Sequence, residues 1–300
     1  MPIPFDRSFS APYETGERVS PLISRVLTDN PGPFTFKGTG VYIVGDLKRE
    51  DGDVAVIDPG PDTPAHVEAL KRALEGRRVT HILVTHTHND HSPAAAPLKA
   101  WSGAPTYAFG PHGSGKLDDG VKVEEGGDMA FMPDVRVRDG EVIAGNGFTF
   151  ECVHTPGHTS NHMCFALKEE QALFTGDHVM DWSTTVVTPP DGDMAQYMAS
   201  LKKLLARDDR VLYPTHGGPV RDPKPFIQAY IDHRLEREAQ IVACLRDGIA
   251  TIPEMVARMY ADVDRRLHPA AARSVLAHLI QLEQGGRVTV KDGYYQLLTK

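Results

Sequence analysis

Residues 85 to 92 read Thr-His-Thr-His-Asn-Asp-His-Ser, placing His86, His88, Asp90 and His91 within six positions, directly after the apolar run Ile82-Leu83-Val84. A buried strand that ends in three imidazoles and a carboxylate must open into a space where those groups converge. Otherwise the chain has spent its most polar loop on its most apolar neighbour. Imidazole and carboxylate together suit zinc and similar borderline divalent metals, whereas a calcium or magnesium site would consist mostly of oxygen. A polar turn that is merely rich in histidine is the bland alternative, and it weakens as further donors appear downstream. The apolar residues from Val79 to Val84 read as a buried strand, and 94–101 as a helix beginning just beyond the cluster, so the donors sit on a loop held between rigid elements.

The 300 residues suffice for one large domain, or for a domain with a small appendage. Net charge is −8, which offers no global attraction for nucleic acid or an anionic membrane. The charge is uneven. From His233 onward ten Lys/Arg face eight Asp/Glu, a net of +2, leaving the rest of the chain at −10. Cys152, Cys164 and Cys244 are isolated thiols with no CxxC pair, so neither a disulfide framework nor a thiolate zinc ribbon is expected. The start, Met1-Pro2-Ile3-Pro4-Phe5-Asp6-Arg7, lacks the pattern of a secretory signal, and no window nears the length of a membrane helix. The expectation is a cytoplasmic protein that does not contact membranes.

Apolar or alternating runs bounded by turn residues predict strands over 34–37, 41–44 and 54–57, followed by a helix over 64–74 with Thr63 as N-cap. Strands return over 141–143, 147–153, 162–167 and 172–174, then a helix over 194–205 and a short strand over 211–213. Such an order in two halves predicts two sheets packed face to face with helices outside. The glycine-rich, acidic stretch from Gly110 to Asp128 reads as an exposed loop. Beyond Pro225 the pattern is helical over 226–245, 251–260 and 270–284, and it closes with a hairpin around Lys291-Asp292-Gly293. Helices followed by a hairpin predict a winged-helix module over 226–300, after a first domain over 1–225.

Three more donors follow strands of their own: His158 in Thr155-Pro156-Gly157-His158-Thr159, Asp177 after Phe174-Thr175-Gly176, and His216 in Pro214-Thr215-His216-Gly217. This series, HxHxDH and then a PGHT turn, an aspartate and a last histidine, resembles the metallo-β-lactamase superfamily. Val56-Ile57-Asp58-Pro59-Gly60 resembles its early aspartate motif. The resemblance implies a four-layer αββα sandwich of the α/β class and a dinuclear hydrolytic centre. It assigns His86, His88 and His158 to one metal and Asp90, His91 and His216 to the other, with Asp177 as the bridge and Asp58 orienting the ligand loop. Two Zn2+ ions are implied, and the same donors suit iron or manganese. Paired dications about 3.5–4 Å apart make metal-bound hydroxide available as nucleophile near neutral pH, and Asp90 is the expected catalytic carboxylate, orienting the nucleophile or relaying its proton.

The remaining histidines receive lesser roles. His154, His162 and His178 lie beside ligands and are expected to support them. His66, His81, His112, His233, His268 and His278 fall on predicted surface or helix positions without assigned function. Asn161, Thr184 and Thr185 are weak candidates for substrate contact. Phe174-Thr175-Gly176-Asp177-His178-Val179-Met180 and the winged-helix tail resemble the lactamase-beta-2-like group, which includes zinc-dependent endoribonucleases acting on single-stranded RNA. That group often has glycine where this chain has Ser92-Pro93-Ala94. Hydrolysis of RNA is therefore the first expectation, and a glyoxalase-II-like thioesterase or other small-ester hydrolase the alternative. A nucleic-acid-binding module is the non-enzymatic reading, with Arg265, Arg266, Arg273, Arg287 and Lys291 as phosphate contacts, although +2 is modest for a dedicated binder.

Overall fold

The computed structural model describes residues 2–46, 52–114, 126–262 and 264–298. Asp51, which with Gly52 is one of the turn pairs expected to bound the early strands, and 115–125 of the expected glycine-rich loop lie outside them. Seven strands form one sheet in chain order: β1 (Gly16–Arg18), β2 (Ile23–Leu27), β3 (Gly40–Gly45), β4 (Asp53–Ile57), β5 (Arg78–Leu83), β6 (Thr106–Ala108) and β7 (Val135–Arg136). The second sheet contains β8 (Val142–Gly145), β9 (Phe148–His154), β10 (Met163–Leu167), β11 (Ala172–Gly176) and β12 (Val211–Pro214), in the order β12-β11-β10-β9-β8.

The sheets meet across a core that includes Tyr42, Ile57, Leu83, Phe148, Phe150, Phe165 and Phe174. A buried side chain of this size contributes roughly 1.5–3 kcal/mol of hydrophobic stabilisation. The outer face of the first sheet is covered by α1 (Pro64–Ala73) and α2 (Ala95–Ser102), through Leu70, Leu74 and Leu98. The Thr63 hydroxyl caps α1 by accepting the His66 amide. Against the second sheet lie α3 (Met194–Leu205) and the first half of α4 (Pro223–Arg246), through Tyr197, Leu201, Phe226 and Tyr230. The layer order is αββα.

Strand direction gathers the loops that matter. β4 runs parallel to β5, and β11 parallel to β12. β9 and β11 are both antiparallel to β10, so they share a direction. The loops after β4 and β5 therefore leave one edge of the first sheet, and those after β9, β11 and β12 leave one edge of the second. Backbone hydrogen bonds Met163 N–H to Thr85 O (2.8 Å) and Gly40 N–H to Thr215 O (2.7 Å) hold the two edges together.

The rest of the chain adds α5 (Ile252–Met259), α6 (His268–Gln284) and the hairpin β13 (Val288–Lys291) with β14 (Tyr294–Leu297). Asp292 and Gly293, both at positive φ, form the hairpin turn. These elements have their own core of Ile241, Met255, Val275, Leu279 and Val288. Helix α4 serves both cores, because its C-terminal half supplies Ile241, Val242 and Cys244. Helix α6 is shared in the same way, with Ala277 joining the cluster under the second sheet.

Two expectations need correction. The stretch 34–37, which alternates like a strand, is a turn: Phe36 adopts φ +54° and its ring stacks on Trp182 at 4.7 Å. The strand of that region is instead β2, where a buried Arg25, ion-paired to Glu17 at 2.8 Å, disguises the apolar pattern. Likewise His66, His112 and His278 are buried rather than superficial.

Candidate metal centre

Asp58 lies at the end of β4 with no exposure and φ +47°, a backbone conformation that a non-glycine residue holds only when its surroundings enforce it. Its Oδ1 accepts the Thr85 amide at 2.7 Å, and its Oδ2 accepts the Thr85 hydroxyl at 2.7 Å, the Thr215 hydroxyl at 2.9 Å and His91 Nδ1–H at 2.9 Å. One carboxylate thus ties the loop after β5 to the loop after β12.

The ring orientations follow from such partners. The Thr85 hydroxyl donates to Asp58, so its oxygen is left to accept His86 Nδ1–H at 3.0 Å. His158 Nδ1–H donates to Val186 O at 2.6 Å and His216 Nδ1–H to Gly38 O at 3.1 Å. In His86, His91, His158 and His216 the proton is therefore held on Nδ1, and the Nε2 lone pair is turned inward. His88 presents Nδ1 instead, 2.9 Å from His86 Nε2 and 3.2 Å from His158 Nε2. The PGHT turn can approach this closely because Gly157 sits at φ +138°, where a Cβ would come within 2.4 Å of the Tyr197 backbone.

The donor atoms fall into three overlapping groups, each with all its atoms within 4.8 Å of one another: His86, His88 and His158; His86, His91 and Asp177; and Asp90, His91 and His216. Asp177 faces both halves. Its Oδ1 lies 3.4 Å from His216 Nε2 and 3.6 Å from His91 Nε2, while its Oδ2 lies 3.7 Å from His158 Nε2. Asp90 Oδ2 is 3.1 Å from His216 Nε2. Buried His91 Nε2 and Asp177 Oδ1 have no hydrogen-bond partner, which is costly unless something else satisfies them. Lone pairs that converge without protons between them, two orphaned atoms, and a set of nitrogen and carboxylate donors together fit divalent metal ions.

The electrostatics agree. Burial, and then the neighbouring imidazoles, hold His86 well below the usual histidine range. Burial opposes charge on His91 and His216 as well, yet Asp90 and Asp177 push both upward. Burial alone would raise Asp177, and the adjacent His216, His91 and His158 bring it well below the carboxylate range. The carboxylates therefore stay ionised and demand positive charge at this position.

His162 and His178 are buried behind the cluster. His162 bonds the Thr155 hydroxyl through Nδ1 at 2.9 Å and accepts the Asp177 amide through Nε2 at 3.3 Å. His154 stacks on Phe109. Neither Thr184 nor the other two candidates for substrate contact lines the cleft. Asn161 is buried, its amide donating to Thr87 Oγ1, Gly110 O and Pro111 O. Thr185 is buried and donates to Asp177 O at 2.7 Å and His178 O at 2.9 Å. Short polar side chains next to ligands are here consumed in holding the loops.

The cleft above the donors has a volume of about 400 Å³, within the range of small-molecule sites. His88, Asp90, His158, Asp177 and His216 form its floor; Phe34, Met180 and Val186 give it apolar walls; and Arg273 reaches it from α6. The sequence reading assigns neither Phe34 nor Val186 to a site. Arg273, which the sequence offers as a phosphate contact of a nucleic-acid-binding module, lines this cleft instead.

Residues 35–216 match the family profile described as metallo-beta-lactamase superfamily, and residues 251–295 match the beta-lactamase associated winged helix domain. The chain is 31% identical to lactamase-like protein adaB of Aspergillus niger, covering 89% of this chain and 86% of that protein. It is 30% identical to atrochrysone carboxyl ACP thioesterase dmxR1 of a Cryptosporiopsis species, covering 84% and 76%. A beta-lactamase domain protein from Burkholderia ambifaria has the same fold, with a TM-score of 0.78 at 21% identity over 98% of this chain and 97% of that one. The chain belongs to the metallo-β-lactamase superfamily, as a hydrolase that carries the associated winged-helix domain at its C-terminal end.

Proposed function

We propose that this hydrolase cleaves thioesters at a dinuclear metal centre, held by His86, His88 and His158 on one side, Asp90, His91 and His216 on the other, and Asp177 between them. The observation that carries the reading is Asp177, whose two oxygens face two separate donor groups beneath an apolar-walled cleft. Bound zinc ions would lower the pKa of water and polarise the thioester carbonyl.

The chain's own residues do the rest. Phe34, Met180 and Val186 bind the acyl chain and exclude water from it. Asp58 orients His91 by accepting Nδ1–H, so that Nε2 faces the donor cluster. Asp90 has the most open carboxylate of the set, 27% exposed against 12% for Asp177. It takes the proton released as water attacks the carbonyl carbon, and returns it to the departing thiolate sulfur. The products are a carboxylic acid and a thiol.

RNA is the weaker substrate reading. A single-stranded polyanion is bound by a track of cations and stacking aromatic rings. Arg273 is the one lysine or arginine lining the cleft among the described residues, and Arg266 and Arg287 are paired with Asp264 and Glu238. Relatives named as acyl-carrier-protein thioesterases support the other choice. The three cysteines are buried free thiols, and burial pushes Cys152 and Cys164 up to about 12, which fits a reducing, cytoplasmic setting. Among the described residues no helix is long and apolar enough to cross a membrane.

The test is a parallel assay of the zinc-loaded protein and its Asp177→Ala variant on acyl thioesters and single-stranded RNA. The expected result is thioester turnover, with the variant losing about 1,000-fold in rate together with metal. Cleavage of RNA with thioesters untouched would reverse the assignment.

A further inference from the structure

Arg273 is the one lysine or arginine of the C-terminal module that lines the cleft, among the described residues. Arg258, Arg266 and Arg287 each hold a carboxylate, those of Asp247, Asp264 and Glu238. Arg237 lies over the Tyr260 ring at 4.7 Å and bonds Gln240. Arg273 is exposed, makes no hydrogen bond or ion pair among the described residues, and lines the cleft that has the metal donors as its floor. Its helix is fixed in place. Val275 and Leu279 pack into the module's own core, Ala277 into the core under the second sheet, and His278 is buried. A guanidinium on a rigid helix, with five donors unspent and apolar walls opposite, is arranged to meet something that enters the cleft. In a chain of net charge −8, Arg246, Arg265, Arg273 and Lys291 are the exposed module cations without a carboxylate partner among the described residues, and Arg273 is the one of the four that lines the cleft.

We propose that Arg273 is the specificity-determining residue of the cleft, binding an anionic oxygen group of the substrate, carboxylate or phosphate, while the reacting bond lies over the donor cluster. The winged-helix domain then completes the substrate site. Helix α6, the element that other winged helices place in a nucleic-acid groove, is here turned toward the catalytic cleft. The shape of guanidinium favours two parallel bonds to a carboxylate or phosphate, which gives orientation as well as attraction. The acyl part of a thioester could carry the anion as a terminal carboxylate, and its thiol part could carry it as phosphate.

This proposal rests on the thioesterase reading for its substrates, and the test separates the two. Full-length, zinc-loaded enzyme is assayed on butyryl-N-acetylcysteamine, which is neutral, on glutaryl-N-acetylcysteamine, with a carboxylate on the acyl side, and on butyryl-coenzyme A, with phosphates on the thiol side. Arg273→Ala is expected to raise KM for at least one anionic substrate by about 10- to 100-fold. The value of kcat, and both constants for the neutral substrate, should stay within about twofold. Arg273→Lys should restore part of the loss. The anionic substrate that responds identifies which side carries the group. Equal effects on all three substrates, or none, would overturn the proposal. If wild-type enzyme cleaves none of them, the thioesterase reading fails separately, and calorimetric titration with glutarate and inorganic phosphate decides the role of Arg273. Binding of one anion about tenfold weaker in Arg273→Ala supports the proposal; unchanged binding of both overturns it.

Discussion

The donor loops and the winged-helix module solve opposite problems with similar residues. In the loops, each imidazole except that of His88 has its Nδ1 proton given to a fixed oxygen, and Asp58 alone accepts four hydrogen bonds. What remains uncommitted there points inward. In the module, Arg258, Arg266 and Arg287 are neutralised in place, and among the described residues Arg273 is its one lysine or arginine that lines the cleft. The difference separates chemistry from selectivity as proposed above: the donor cluster is fixed from both sheets, whereas the proposed substrate contacts are a few side chains outside them.

That contrast can be broken most severely at Asp58. Asp58→Asn keeps the shape but exchanges an acceptor oxygen for an amide donor against His91, Thr85 and Thr215. Metal affinity should fall about 10- to 100-fold, and the metal-free protein should also lose stability, by roughly 1–3 kcal/mol, since buried donors lose an acceptor. Metal titration and denaturant unfolding measure the two separately. Unchanged metal affinity would mean that Asp58 only braces the loops.

A smaller effect is expected at the module boundary. Burial, with Arg234 nearby, pushes His278 down to about 3, and burial lowers His233 to about 4. Both are depressed from 6.5, so the unfolded chain binds more protons than the folded one as acid is added. The stability they provide is present above pH 6.5 and is lost progressively below it, by up to about 1.4 kcal/mol per pH unit for each fully shifted group. His278→Leu should flatten the fall in thermal midpoint between pH 7 and pH 5. A variant as acid-sensitive as wild type would move the origin of that sensitivity elsewhere, to the donor cluster first.

The same division governs what could be read from the sequence. Donors spaced His-x-His-x-Asp-His, each further donor following an apolar run, needed only strand direction to become a cluster; the runs at 41–44 and 54–57 lie in strands, as does 162–167 apart from its first residue. Local pattern failed where a tertiary partner decided the outcome. Phe36 is held in a turn by Trp182, and Arg25 is buried within β2 beneath the Phe9 ring, 4.5 Å from its centroid. His66 is buried with Glu14, 52 positions away in the sequence, against Nδ1 at 2.9 Å and Pro59 O, just before its helix, against Nε2 at 2.9 Å. Arg273 could be seen as a free cation, but its direction depends on how α6 seats on two cores at once. No local periodicity encodes that.

Two donor groups paired through Asp177, as proposed, set the metal content of the protein, and counting metal reads it out. Elemental analysis of the purified chain after zinc loading and removal of loosely held ions should give two equivalents per chain in wild type. A single tightly bound equivalent, or none, with the fold intact by circular dichroism, would contradict that pairing.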